Sequence, residues 1–338
     1  MTENDINKYY LVSILVPIYN VENYIKRCVI SLMEQTYENI EYIFVDDCST
    51  DDSFLLLQKT VKEYPKRKQN ITIIRNKCNK GIATVRNIAI KNAIGDFIIN
   101  VDSDDWIEKD LVRKCVKNQI ENSSEIVCYG YVIHSKKCLY FTPHFLDRSD
   151  LIKKYLRGDI QVSLWSKMIK RLLFIDNDIK MINGANMGED YDIVPKLFYY
   201  ANKISFVKDK LYHYNCESVL SYTNVFKETN ADQNWANIMD IYSFFCKNDV
   251  SYLEDVEIMA VKILNTNILN SARTNSYKLY LPILEERLKF VNPKYWKKIP
   301  FQYRIVFYIK NFLLIRIYSL LMQKIKKCIH FLNVYLSF

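Results

Sequence analysis

The sequence predicts an α/β fold in which a Rossmann-like, mostly parallel sheet is flanked by helices and followed by a helical C-terminal region. Three observations carry this reading. Over the first 135 residues, short β-rich apolar runs alternate with longer amphipathic stretches, which is the pattern of parallel βαβ units. Two of those runs end in clustered aspartates, at the sheet edge where ligands gather in open α/β folds. From Thr223 onward the apolar spacing turns helical.

Taken in order, Val12–Pro17 (VSILVP) reads as a buried strand, Ile40–Asp46 (IEYIFVD) as a second, Ile71–Arg75 as a third and Phe97–Val101 (FIINV) as a fourth. Helices fill the gaps. The first spans about Glu22 to Gln35, with Ile25, Cys28, Val29 and Leu32 at helical spacing. The second is expected to begin at Ser49, an N-cap residue type with Asp52 three positions later. The third runs from Ile82 to Ala93 and stops at Gly95. Residues 162–222 show short apolar runs of neither period, and helices are expected over Asn234–Cys246 and Glu254–Thr274 before Pro282, Pro293 and Pro300. A chain of 338 residues exceeds the roughly 100–200 of one domain, so two are expected: 1–222 carrying the sheet and 223–338 helical.

Composition narrows the class. Hydrophobic residues make up 49% and charged ones 25%, enough apolar surface for a core and no signature of disorder. Nine scattered cysteines form no CxxC pair, which predicts reduced thiols in a cytoplasmic protein. Met1–Tyr10 lacks the basic start and apolar stretch of a secretory signal, and no apolar run reaches the roughly 20 residues that span a bilayer. The net charge of +9 is not a nucleic-acid signature, because residues 287–338 hold eleven Lys or Arg and no acid. The excess is a basic tail.

The strongest chemical signal is Asp102, Ser103, Asp104 and Asp105, directly after FIINV. Like charges this close repel, a cost that is offset if a divalent cation bridges them to a diphosphate; hard oxygen ligands suit Mn2+ or Mg2+. A helix-capping loop is the other explanation. Asp46 and Asp47 end the second strand, and a carboxylate there can accept from a nucleobase imide or a ribose hydroxyl. There is neither a GxxxxGK[ST] loop nor a GxGxxG turn, and only six glycines in all, which disfavours P-loop kinases and dinucleotide dehydrogenases.

In that order, SILVPIYN, FVDDCSTDDS, NKGIATVRNIAI, GDFIINVDSDDWI and MGEDYD resemble glycosyltransferase family 2, with its GT-A fold, over roughly residues 11 to 222. The resemblance implies an inverting, metal-dependent transfer of a sugar from a nucleotide sugar, as in UDP-sugar chemistry, to a hydroxyl of a glycan or lipid-linked acceptor. It assigns Pro17, Tyr19, Asp46 and Asp47 to the nucleotide, with Tyr19 flanking uracil. Arg86 helps to bind the nucleotide, or is an ordinary exposed helix charge. Asp102 and Asp104 match the DxD pair, contacting ribose and metal respectively, while Asp105 caps the next helix. Asp190, with Glu189 beside it, matches the catalytic base, or is a capping acid. Trp165 and Lys167 match an element ahead of the base; Trp165 stacks on a sugar or belongs to the core. His213 is an extra metal ligand or structural, and Asn215 stands where many relatives have arginine. A sugar nucleotidylyltransferase and a non-catalytic binding relative are the competing functions.

Between Leu313 and Tyr335, polar residues including Arg316, Ser319, Gln323 and Lys327 fall opposite Leu314, Ile317, Leu320 and Leu321 at helical spacing. Such a basic amphipathic helix either makes peripheral contact with an anionic membrane, at the inner face of the plasma membrane, or packs on its own domain.

Overall fold

A computed structural model describes residues 9–134, 139–141, 146–160, 163–216, 227–273, 276–308 and 314–321. Among them the strands are β1 (Val12–Ile18), β2 (Ile40–Asp46), β3 (Ile71–Arg75), β4 (Phe97–Asn100), β5 (Trp106–Ile107), β6 (Ile126–His134), β7 (Leu139–Phe141), β8 (Lys167–Lys170) and β9 (Ile204–Asn215). The helices are α1 (Ile25–Met33), α2 (Ser53–Lys62), α3 (Ile82–Asn92), α4 (Leu111–Asn122), α5 (Arg148–Arg157), α6 (Leu172–Asp176), α7 (Glu189–Tyr200), α8 (Glu228–Asn248), α9 (Leu253–Arg273), α10 (Tyr277–Leu288) and α11 (Phe301–Tyr308). Residues 314–321 are also helical.

The strands form one sheet in the order β3-β2-β1-β4-β8-β6-β9-β5, with β7 beside β6. Its first half is parallel as expected: β1 lies between β2 and β4, in register Val12↔Ile40 and Val12↔Phe97. All seven residues of β1 are buried, which is why VSILVPI is a continuous apolar run and not an alternating one. Pro17 is tolerated in this central strand because pairing with β4 ends at Leu15↔Asn100, so its missing N–H removes no bond on that side. The second half is mixed. β8 runs antiparallel to both β4 and β6, β6 and β9 are parallel, and β5 is antiparallel to β9. Residues 162–222 gave no clean period because the four-residue strand β8, the helices α6 and α7 and the long strand β9 share that stretch.

The chain divides into two compact units, Met1–Ile152 with Gln161–Leu220, and Lys153–Ile160 with Ser221–Phe338. On one face of the sheet in the first unit, Val12, Ile14, Val16, Phe44, Ile99 and Val101 meet Ile25, Val29 and Leu32 of α1 in a core cluster. Each such side chain contributes about 1.5–3 kcal/mol by leaving water. The second unit is helical, with α9 at its centre: Leu264, Ile268 and Ala272 pack with Tyr277, Tyr280 and Leu284 of α10 and Val306 of α11. Of the predicted amphipathic tail, residue 313 and residues 322–335 lie outside the described residues.

Ser49 does not begin the second helix. The helix starts at Ser53, because Ser49 is committed to the loop: its hydroxyl accepts from the Asn20 N–H and its own N–H donates to Asp46 Oδ2.

Candidate active site

The carboxyl ends of β1, β2 and β4 all belong to the first unit, and the loops leaving them are tied together by side chains. Asn20, at φ 51°, accepts the Thr50 N–H through its carboxamide at 2.9 Å. Glu22 and Asp51 exchange bonds with the backbone at Asp52 and Glu22. Tyr19, one position beyond the Ile18↔Asp46 pair, is 39% exposed and free to present its ring.

The two aspartates at the end of β2 divide their work. Both are buried. Asp47 accepts from Asn76 Nδ2 at 2.8 Å, from Lys80 N at 2.9 and 3.0 Å and from Gly81 N at 2.8 Å, so its carboxylate organises residues 76–81. Asp46 pairs with Arg75 Nε at 3.1 Å through Oδ2, and its Oδ1 has no partner among the described residues. A buried acceptor left unpaired costs about 1–3 kcal/mol.

The Asp102–Asp105 turn is clamped from β9. Tyr212 donates its hydroxyl to Asp105 Oδ2 at 2.6 Å and accepts the Asp102 N–H at 3.1 Å, while Asn215 N donates to Asp105 Oδ1 at 2.7 Å. Asp105 is therefore the anchor of the turn, not the cap of α4, whose first residue is six positions on. Burial, with Asp104 and Asp102 close by, raises the Asp105 carboxyl well above the usual carboxylate range. Arg27 Nη2 and Asn215 Nδ2 hold the Asp104 carbonyl at 3.2 and 3.4 Å, and the Asp104 residue itself remains half-buried. Asn215 thus holds the turn.

Arg86 is not an exposed helix charge: only 5% of its side chain is exposed. Its guanidinium meets Asp102 Oδ1 at 2.9 Å, Glu189 Oε1 at 2.7 Å and Asp190 Oδ1 at 3.3 Å. Burial opposes the charge, but three carboxylates together raise the pKa above the ordinary arginine value. One cation thereby joins the end of β4 to the first turn of α7. Gly188, at φ +83°, supplies the left-handed residue from which α7 starts, and Glu189 and Asp190 sit where the helix dipole favours acids. Burial and then Asp190 push Glu189 up to about 7; burial likewise raises Asp190, against Arg86.

Gly81 begins α3 at φ +82° with Asn186 against it, leaving no room for a Cβ. Asn186 Oδ1 accepts the Ala83 N–H at 3.2 Å, and Asn87 binds Met181 O and Asn183 at 2.8 and 3.0 Å. These amides fix the loop before α7 on the helix that carries Arg86. Sequence reasoning missed them, as it missed Tyr212 and Arg75. For Tyr212 a signal existed, since LYHYN in a strand places Tyr212 and Tyr214 on one face.

Trp165 and Lys167 both lie in the interior of the first unit, and for Trp165 this is the core place, one of its two expected ones. Trp165 is 4% exposed and packs on Tyr212, Tyr214 and Tyr131 at centroid distances of 4.5, 5.4 and 4.8 Å, so it belongs to the core. Lys167 is buried, with Nζ on Ser163 O and Ser166 Oγ, and burial lowers its pKa to about 8. It secures the turn whose Leu164 N–H donates to Asp190 Oδ2 at 3.4 Å. His213 stacks on Trp106 at 4.9 Å, interplanar angle 2°, and binds Glu108 Oε1 and His134 Nε2 at 2.8 and 2.9 Å, contacts that give it a structural place.

Among the described residues no three His, Cys, Asp or Glu side chains gather into a metal cage. That donor set still fits Mg2+ or Mn2+, because such ions are commonly held by one or two carboxylates with substrate phosphate and water completing the shell. Asp104, with Asp102 beside it, supplies hard oxygen donors of that kind.

Residues 13–177 match the family model described as Glycosyl transferase family 2. Glycosyltransferase GlyA of Streptococcus pneumoniae serotype 4 is 31% identical over 217 residues, which are 60% of this chain and 30% of GlyA. GlyG of the same organism is 26% identical over 270 residues, 75% of this chain and 86% of GlyG. This chain therefore spans less than a third of GlyA but most of GlyG. The crystal structure of S. aureus TarS 1-349 in complex with UDP-GlcNAc superposes with a TM-score of 0.56 at 20% identity, covering 86% of this chain and 92% of that one.

Proposed function

Because this chain belongs to glycosyltransferase family 2, with a fold of the GT-A type, we propose that it transfers a sugar from a UDP-sugar to a hydroxyl of a glycan or lipid-linked acceptor, inverting the anomeric centre. The observation that carries this reading is the single buried arginine bonded at once to Asp102 of the DSDD turn and to the Glu189–Asp190 pair. It sets a leaving-group anchor and a candidate base against each other across one cation. The reading places the reaction in the cytoplasm, in surface-polysaccharide synthesis, with lipid-linked acceptors at the inner face of the plasma membrane.

Tyr19 flanks the uracil. Asp46, whose Oδ2 pairs with Arg75, offers the imide N–H its Oδ1, which has no partner among the described residues. Asp102 binds ribose, and Asp104 would hold the divalent ion. When bound, that ion supplies positive charge against the departing diphosphate. Asp190 accepts the proton of the attacking hydroxyl, so no covalent enzyme intermediate is needed. Glu189 and Arg86 set the charge around Asp190, and the loop held by Asn87 and Asn186 keeps it in place.

The test is release of UDP from UDP-GlcNAc, the donor held by the TarS neighbour, with manganese, magnesium or EDTA. Turnover should require a divalent ion, and Asp104→Asn should abolish it. Turnover that survives both EDTA and the substitution would overturn the metal assignment.

The pH dependence follows from the acid pair. A base works deprotonated, and burial raises both carboxyls, with Glu189 at about 7. Activity should therefore fall on acidification from a pH above the ordinary carboxylate range, and the acid limb should move to lower pH in Glu189→Gln, which removes a like charge beside Asp190. An unmoved limb would separate Glu189 from the titration.

A further inference from the structure

A helix on a soluble surface normally turns its apolar stripe inward. Residues 314–321 do the reverse. Facing its own unit, the helix buries Ile315 and the polar Ser319. Ser319 Oγ donates to Leu269 O at 2.8 Å and accepts from Arg273 Nε at 2.9 Å. Tyr318 donates to Gln302 O at 3.2 Å, tying the helix to α11. The opposite side shows Ile317 at 45%, Leu320 at 47% and Leu321 at 52% exposure, at the i, i+3, i+4 spacing of one stripe. On α11, Phe301 and Tyr308 are 63% and 62% exposed.

We propose that the outward stripe Ile317, Leu320 and Leu321 is a docking surface for an anionic lipid bilayer. The charge of the surrounding chain selects that occupant. Residues 287–338 carry eleven Lys or Arg and no acid, a balance that attracts anionic headgroups at about 1 kcal/mol per basic residue near the surface. Lys294 and Lys297 are exposed just before Phe301, and apolar and aromatic side chains beside lysines are the composition of an interfacial helix. No helix among the described residues is long and apolar enough to cross a membrane, so the contact is interfacial. Sequence alone left membrane contact and packing as alternatives; the described helix packs through Ile315 and Ser319 and still presents Ile317, Leu320 and Leu321 outward. The inference stands apart from the donor chemistry above and is tested without turnover.

The experiment is flotation of the full chain with phosphatidylcholine vesicles, with and without phosphatidylglycerol, at low and high salt. The wild type should float with the anionic vesicles only, and less at high salt, while Ile317→Glu with Leu321→Glu should remain at the bottom of the gradient. Equal melting midpoints and equal circular dichroism spectra would show that the double variant is folded. Should it melt earlier, Leu320→Glu and the lipid-charge dependence of the wild type carry the same test. Equal flotation of variant and wild type, or no preference for anionic vesicles, overturns the proposal. So does a wild-type dimer in light scattering that the substitutions dissolve without any flotation, which would give the stripe to a second copy of this chain.

Discussion

Asp190→Asn should cut turnover by about 10²–10⁴-fold, the range over which a positioned general base contributes, while UDP binding measured by calorimetry stays close to that of the wild type. The physical reason is the limited scope of the change. Asparagine can still accept the Leu164 N–H that Asp190 Oδ2 receives at 3.4 Å, and Arg86 keeps Asp102 and Glu189, so the loop and the fold persist. What disappears is the oxygen that can carry away a proton. The loss should appear in kcat more than in KM, because the base acts on the acceptor hydroxyl in the transition state and contributes little to donor affinity. Transfer within a few-fold of the wild type would remove Asp190 from the role and leave it as a helix-terminal acid.

The largest effect on both stability and activity should come from Arg86→Met. Removing one partner of a buried ionic cluster costs about 3–5 kcal/mol, because the remaining charges stay buried without a counter-ion; here Asp102, Glu189 and Asp190 would face one another alone. The pH dependence of that loss has a defined sign. An acid whose folded pKa lies above its unfolded value binds protons more readily when folded, so stability falls as pH rises through the interval between the two. Glu189 already reaches about 7 with Arg86 present, and without it the carboxyls rise further. The deficit of the variant should therefore be greatest above pH 7 and shrink on acidification towards the ordinary glutamate value. Chemical denaturation at several pH values measures it; a deficit that is flat with pH, or below 1 kcal/mol, would show that the cluster is solvated and not held by the arginine.

Much of the scaffold was legible in the residues. The three strands Ile40–Asp46, Ile71–Arg75 and Val12–Ile18 occur almost where their apolar runs place them; for β1 and β2 the reason is that a strand buried on both faces needs an uninterrupted apolar segment, while β3 lies at the sheet edge with none of its residues buried. The acidic ends of β2 and β4 were also visible, because unusual local chemistry is written in neighbouring positions. The loop after β2 was not: Ser49 has the residue type of a cap, yet its hydroxyl is claimed by Asn20, 29 positions away, and local capping rules carry no knowledge of such a partner.

By itself, the sequence determined the order of strands and helices in the first half of the fold, the acidic rim of the sheet, and the basic, acid-free character of the C-terminal stretch. Only the tertiary structure decided which of those groups are available. It joined Arg86 to Glu189 and Asp190 across 103 and 104 positions, enclosed Asp47, Trp165 and Lys167, and turned Ser319 inward with Leu321 outward. Periodicity reports which residues share a face, but the partner of a face, and hence the burial and charge of each side chain, comes from contacts between distant segments that no local pattern encodes.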